Sequence, residues 1–258
     1  MTFDIKTIED LSLNAWPSHQ MQVYDGWILR FSYFYTHRTN SVEQIGPSIL
    51  PFEEKVSYCE QIYQRWQTPC IFKITPLCDP ALESLLIKKG YHTEHRTEVM
   101  VLDLNNVKTD PASTPDINIE ETPYKKLHIQ HSISLDWING LFDLKQTTDP
   151  IHRKIVPSMY AAIPKDVIAV SIRDNGRIIG TGLGILDRDY IGIYAIHVEE
   201  EYRGRHYASA IVGTLLSEGK KKGATRAYLQ VVSGNQPAIA LYRKAGFRKL
   251  YTYWFRVK

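Results

Sequence analysis

Ile193-Tyr194-Ala195-Ile196-His197-Val198-Glu199-Glu200-Glu201-Tyr202-Arg203-Gly204-Arg205-His206-Tyr207-Ala208-Ser209 is the stretch from which the fold can be read. Residues 190–198 are rich in Ile, Tyr and Val and follow the polar Asp187-Arg188-Asp189, which marks a strand. Beyond the loop, Ala208, Ile211, Val212, Leu215 and Leu216 fall at i, i+3, i+4, i+7 and i+8, one face of a helix. That helix should stop at Lys220-Lys221-Lys222-Gly223, where cations meet the negative end of the peptide dipoles and a glycine follows. A strand, a tight loop and a helix start thus come in succession. Backbone N–H groups at a helix start and in a turn nest point into one concavity, which suits a phosphate or diphosphate. Arg203 and Arg205 add positive charge beside it.

Outward from this stretch lies a second one, Asn235-Gln236-Pro237-Ala238-Ile239-Ala240-Leu241-Tyr242-Arg243-Lys244-Ala245-Gly246-Phe247. Asn235 is a good N-cap residue after Ser233-Gly234, and Gly246 stands where a left-handed C-cap is wanted. Ala238, Leu241, Tyr242 and Ala245 share a face, so Tyr242 points inward. Its phenol either packs as a core tyrosine or gives a proton at neutral pH, which a departing thiolate requires.

These two motifs, in this order, resemble those of the GNAT superfamily of N-acetyltransferases. The run Val198-Glu199-Glu200-Glu201-Tyr202-Arg203-Gly204 is similar to the family's lead-in to its loop, with Glu200 in place of a proline, and residues 235–247 resemble its capped helix. His206 departs from the pattern by standing where the loop normally has its first glycine; histidine tolerates positive φ better than most side chains, though less well than glycine. The resemblance implies that pantetheine lies along the backbone of Ile196, His197 and Val198 as an added strand. It also implies that the amides of Arg203, Gly204, Arg205, His206, Tyr207, Ala208 and Ser209 hold the diphosphate of acetyl-CoA, that Asn235 contacts the pantetheine arm, and that Tyr242 protonates the thiolate. An amine would attack the acetyl carbonyl directly. For a general base the residues offer Asp189, Tyr194 and His197; His197 ranks first because an imidazole titrates near neutrality, although a strand histidine packed in the sheet is the plain alternative.

Composition agrees. The 258 residues suggest one or two domains, and 43% hydrophobic residues can fill a core. A net charge of +3 is too small to argue for a nucleic-acid partner. The opening Met1-Thr2-Phe3-Asp4-Ile5-Lys6 is not a signal peptide and no run approaches a membrane span, so no membrane partner and a cytoplasmic location are expected. Cys59, Cys70 and Cys78 have no paired spacing and read as reduced thiols. His128 with His131, and His92 with His95, have spacings a metal could use; without a third ligand they read as surface histidines, and no metal is expected.

The chain also repeats itself. Asp79-Pro80-Ala81-Leu82-Glu83-Ser84-Leu85-Leu86-Ile87-Lys88-Lys89-Gly90-Tyr91 copies residues 235–247 at a constant offset, since 235 − 79 and 246 − 90 both equal 156. Upstream, residues 69–75 read as a strand like residues 226–232, and Val56, Cys59, Ile62, Tyr63 and Trp66 form a helical stripe. The expected organisation is a diverged GNAT-like lobe over residues 1–104, a linker at the proline-broken residues 105–115, and the acetyltransferase domain over residues 116–258. In the first lobe Leu86 takes the place of Tyr242. There Gly46-Pro47-Ser48-Ile49-Leu50-Pro51 replaces the amide-rich loop, with two prolines that cannot donate.

Within residues 116–258, a strand is expected at 116–120, helices at 124–131 and 137–144, strands at 167–173, 177–186 and 190–198, and then helix, strand at 226–232, helix and closing strands from Phe247 to Val257. Asn175-Gly176 between alternating apolar residues is a hairpin signal. Tyr33-Phe34-Tyr35 and residues 251–255 read as aromatic strands; these, with Trp137 and Met159, are candidates to wall an acceptor pocket. The fold class is therefore α/β (α+β), a mixed and mostly antiparallel sheet flanked by helices in two tandem lobes. The function the resemblance implies is an acyltransferase moving acetyl from acetyl-CoA to a small-molecule or peptide amine. The rival is a non-catalytic acetyl-CoA sensor or scaffold. A homodimer stays open.

Overall fold

The computed structural model describes residues 2–105 and 125–258. Along the chain come α1 (Ile5–Ala15), β1 (Gln20–Tyr24), β2 (Trp27–Phe31), a 3-10 turn at His37–Thr39, β3 (Val42–Gln44), α2 (Phe52–Arg65), β4 (Ile71–Ile74), α3 (Pro80–Lys88) and β5 (His92–Asp103). The second part continues with β6 (Lys125–Gln130), α4 (Leu135–Leu144), α5 (Pro150–Ala161), β7 (Asp166–Asp174), β8 (Arg177–Asp187), β9 (Tyr190–Val198), a 3-10 turn at Glu200–Tyr202, α6 (Tyr207–Lys221), β10 (Arg226–Val232), α7 (Gln236–Lys244) and β11 (Arg248–Val257).

The chain divides into two compact units. The first comprises Met1–Ala15, Val99–Val231 and Asn235–Leu250. Its strands lie in the order β5, β10, β9, β8, β7, β6. β6, β7, β8 and β9 form an antiparallel meander, and β9 runs parallel to β10. At the β7–β8 turn, Asn175 (φ 50°) and Gly176 (φ 84°) both take the left-handed backbone that a tight two-residue hairpin needs. The core gathers Met100, Leu102 and Leu104 of the β5 stretch, Ile168, Val170 and Ile172 of β7, Ile191 and Ile193 of β9, and Ile211, Val212, Leu215 and Leu216 of α6. Ile211, Val212, Leu215 and Leu216 of the predicted α6 stripe therefore face inward together with Tyr207 and Ala210, while Ala208 is only half-buried.

The second unit comprises Trp16–Glu98, Val232–Gly234 and Tyr251–Lys258. It repeats the element order of the first: strands β1, β2 and β3 form an antiparallel set, α2 follows, then β4 parallel to β3, then α3 and β5. β4 pairs antiparallel with the end of β11, from Ile74↔Trp254 to Ile71↔Val257. Trp27, Leu29, Val56, Cys59, Tyr63, Phe72, Leu82 and Leu86 form its core. Burial pushes the Cys59 thiol up and Cys70 up to about 12, and all three cysteines are free.

Several expectations are corrected. The divisions at residues 104 and 116 cut across both units, because α1 and the end of β5 pack into the first and Tyr251–Lys258 into the second. Of the helix expected at 124–131, the described part is a strand instead: β6 pairs with β7 from Lys125↔Asp174 to Gln130↔Ala169, and this tertiary pairing overrides local pattern. Tyr33-Phe34-Tyr35 is a bend with Tyr33 (φ 48°) and Phe34 (φ 62°) left-handed, not a strand. It is held by Asn40, whose Oδ1 accepts from Ser32 N at 2.7 Å and Phe34 N at 3.1 Å. Helix α5 was not foreseen. The expected strand at 116–120 and nearly all of the linker at 105–115 lie outside the described residues. Among the described residues no helix is long and apolar enough to cross a membrane.

Candidate active site

β9 and β10 are parallel neighbours, paired from Tyr190↔Arg226 to Ile193↔Leu229 and no further. A β-bulge explains why the pairing ends there. On its other side β9 pairs Leu183↔Tyr194 and Thr181↔His197, so Ala195 and Ile196 together face only Gly182. Ala195 is left-handed (φ 51°), and the Thr181 hydroxyl donates to its carbonyl at 3.0 Å. Gly182 is required: a Cβ there would lie 2.2 Å from Ile211 Cγ2 and 2.9 Å from Ile196 Cδ1. The bulge bends β9 away from β10, and ligands of open parallel sheets bind where adjacent strands part at their carboxyl ends. Ile196, His197 and Val198 lie on that departing end.

From the same end the chain turns into α6. Gly204 (φ 75°) and His206 (φ 62°, ψ 6°) are both left-handed, so the histidine does adopt the backbone expected of a glycine. Its side chain is exposed. The first helical bond is Ala210 N to His206 O at 3.0 Å, which leaves the amides of Tyr207, Ala208 and Ser209 without a carbonyl one turn back. Arg203 Nε donates to Val198 O at 3.3 Å, and Arg205 stacks over the Tyr202 ring at 5.6 Å. Arg203 therefore occupies one of the carbonyls assigned to pantetheine.

On α7, Asn235 caps the helix, its Oδ1 accepting from Ala238 N at 3.2 Å. Its amide donors stay available. Tyr242 is buried, 8% exposed, and packs edge-on against Phe247 at 6.1 Å between centroids. Burial alone pushes its pKa up to about 12, which keeps the phenol protonated at neutral pH.

The base candidates fare differently. His197 is half-buried; burial first, then repulsion from Lys145 and Arg203, lowers its pKa to about 4. It is neutral at physiological pH but a much weaker base than an ordinary imidazole, which removes the reason for ranking it first. Asp189 is engaged by Thr225 Oγ1 at 2.8 Å and by Arg226 at 3.3 Å, so it anchors the start of β10. The Tyr194 hydroxyl is bonded to that of Tyr228 at 2.6 Å. Trp137 is fully buried with Nε1 donating to Val170 O at 2.9 Å, and Met159 is buried too, so both serve the core. The sequence reading missed the bulge, whose only signal is Gly182 opposite residues 195–196.

The corresponding place in the second unit is filled from within. The carboxylate of Asp25 accepts from Ser48 Oγ at 2.6 Å, Leu50 N at 2.9 Å and Ile49 N at 3.1 Å, ahead of α2. These bonds hold its pKa well below the usual carboxylate range. Lys55, fully buried over the Trp27 ring at 3.9 Å, pairs with it at 3.2 Å. Leu86, at the counterpart of Tyr242, is a core residue.

Comparison with known proteins gives this arrangement its relatives. The sequence profile described as "Acetyltransferase (GNAT) family" matches residues 136–247, and the profile described as "Probable histone acetyltransferase Rv0428c C-terminal" matches residues 2–150. The chain is 25% identical over 257 residues to "Uncharacterized N-acetyltransferase YobR" of Bacillus subtilis, spanning 99% of each. Among solved structures, a GCN5-related N-acetyltransferase from Kribbella flavida aligns with a TM-score of 0.68 at 14% identity, covering 98% of this chain and 94% of that one. A tandem GNAT protein from the clavulanic acid biosynthesis pathway aligns with a TM-score of 0.64 at 12% identity, covering 84% of this chain and 74% of that one. With a profile match to each half and the same mixed sheet flanked by helices, the chain belongs to the GNAT acetyltransferase family.

Proposed function

We propose that the first unit is a cytoplasmic N-acetyltransferase that moves the acetyl group of acetyl-CoA to the primary amine of a small molecule or peptide, and that the second unit is a diverged copy that has lost this chemistry. The observation that carries the reading is the buried, protonated phenol of Tyr242. The cosubstrate fits the residues present: the unpaired amides of Tyr207, Ala208 and Ser209 suit a diphosphate, each such charged hydrogen bond contributing roughly 1.5–3 kcal/mol. Bound there, it supplies an activated acetyl thioester.

The residues then divide the work. The departing end of β9 offers backbone groups to the pantetheine arm, with Arg203 giving up Val198 O as the arm arrives, and Asn235 donates to the arm through its free amide. Positioning accounts for most of the acceleration. As the amine attacks the acetyl carbon and the C–S bond breaks, Tyr242 gives its proton to the sulfur, and the proton lost by the amine returns through solvent to the phenolate. Such a donor contributes roughly 10²–10⁴ in rate. His197, neutral at pH 7, accepts a hydrogen bond from the incoming amine and does not hold the proton.

Thiol release from acetyl-CoA over a panel of small and peptide amines tests the proposal. Turnover by the wild type with retained cofactor binding but lost turnover in Tyr242→Phe is expected. Tight acetyl-CoA binding without turnover on any amine would replace the enzyme with a sensor.

A further inference from the structure

Away from this site, the second unit gathers three histidines around one carboxylate. Nε2 of His37 lies 3.1 Å from Glu94 Oε2, Nε2 of His95 lies 3.7 Å from the same oxygen, and Nε2 of His92 lies 2.8 Å from Glu94 Oε1. One ligand atom from each of His37, Glu94 and His95 lies within 4.8 Å of the other two.

We propose that His37, Glu94 and His95 bind one divalent transition-metal ion of the zinc type. Tetrahedral zinc with nitrogen and oxygen ligands at about 2.0–2.1 Å places its ligand atoms roughly 3.3 Å apart. The contacts of 3.1 and 3.7 Å to Glu94 bracket that separation, so small side-chain rotations admit the ion. Two imidazoles and one carboxylate are a zinc donor set that leaves the fourth position open, and here it faces solvent because the His95 side chain is 54% exposed. His92 takes the outer role: bonded to the second oxygen of Glu94, it fixes the carboxylate so that Oε2 turns to the ion.

The backbone is arranged for this convergence. Along a strand His92 and Glu94 share a face while His95 should point the other way. The left-handed backbone of His95 (φ 48°) breaks that alternation, and Thr97 Oγ1 donates to the His95 carbonyl at 2.9 Å across the bend. As a result the His95 and His37 rings meet at 4.6 Å, edge to face. His37 sits in the 3-10 turn tied by Asn40, whose Nδ2 donates to Thr36 O at 2.6 Å, and its ring packs on Phe255 at 5.2 Å. Both ligand-bearing segments are thus held before any ion arrives, and the third ligand comes from a residue 57 or more positions upstream of the other two, where sequence spacing does not reveal it.

The full chain, stripped with a chelator and dialysed against Zn²⁺ alone, tests the assignment by metal content and by the rise in melting temperature that binding to the folded state produces. One equivalent of zinc lost in both His37→Ala and His95→Gly is expected, with glycine chosen because it accepts the left-handed backbone. His92→Ala should weaken binding by roughly 10-fold or more. Co²⁺ in place of zinc should show the visible absorption of a four-coordinate ion. Wild-type protein that binds no stoichiometric zinc, or variants that keep wild-type zinc content and thermal shift while their circular dichroism is native, would overturn it.

Discussion

At the scale of single residues, the proposed chemistry rests on two titrating groups that burial moves in opposite senses. Burial disfavours the charged form of each: it raises Tyr242 to about 12 and lowers His197 to about 4. Since burial takes His197 well below neutrality, the rise of kcat/KM with pH should follow the pKa of the amine substrate and show no inflection near 6.5; a pH–rate profile with two amines of different basicity checks this. Burial of His197 also has a stability consequence. Its unfolded form binds a proton below its ordinary value of 6.5 and its folded form only below about 4, so its contribution is present above pH 6.5 and lost as pH falls towards 4. The loss is on the order of 2–3 kcal/mol, and His197→Gln should flatten the fall in urea midpoint across that window. At His206 the left-handed backbone costs a non-glycine residue about 1 kcal/mol, so His206→Gly should raise stability by up to that amount in urea unfolding while leaving acetyl-CoA affinity intact or improved.

At the scale of elements, the bulge opposite Gly182 ends the pairing of β9 with β10 and shapes the candidate site. Gly182→Ala puts a methyl group into Ile211 and Ile196. It should destabilise the chain by about 1–3 kcal/mol and raise the Kd for acetyl-CoA, because the displaced Ile211 belongs to the helix whose first turn would hold the diphosphate in the proposed function; calorimetry and denaturation together check both effects. Most elements could be read locally. Residues 190–198 and 226–232 are strands with the expected bounds, and the repeated helix at residues 79–91 is capped by Asp79, which accepts from Ala81 N at 2.8 Å. Helix α5 also carried a legible signal: Asp149 accepts from Ile151 N at 2.7 Å with Pro150 in the first turn. Pro157 inside the helix obscured it. β6 and the bend at Tyr33-Phe34 were not legible, since strand pairing with β7 and the side-chain bonds of Asn40 decide them.

At the scale of the whole molecule, the two units do not correspond to two halves of the chain. Met100, Leu102 and Leu104, in the expected first lobe, fill the core around β9, β10 and α6, and Leu104 N donates to Thr225 O at 2.9 Å. A fragment of residues 116–258 lacks them and α1. It should give no cooperative unfolding transition alone, whereas co-expression with residues 1–105 should restore a soluble, cofactor-binding complex. An independently folded, cofactor-binding fragment of residues 116–258 would refute this dependence.

The sequence by itself determined the family, the repeat at a constant offset, the amide-rich turn from residue 203 to 209 and the inward Tyr242, because caps, glycine positions and hydrophobic periods act within about ten residues of one another. Only the tertiary structure decided which core each strand completes, how far burial moves His197 and Tyr242, that Asp25 occupies the second unit's loop, and that His37 meets Glu94 and His95. Each of these depends on solvent exclusion and contact between segments far apart in the chain, and no local pattern encodes that.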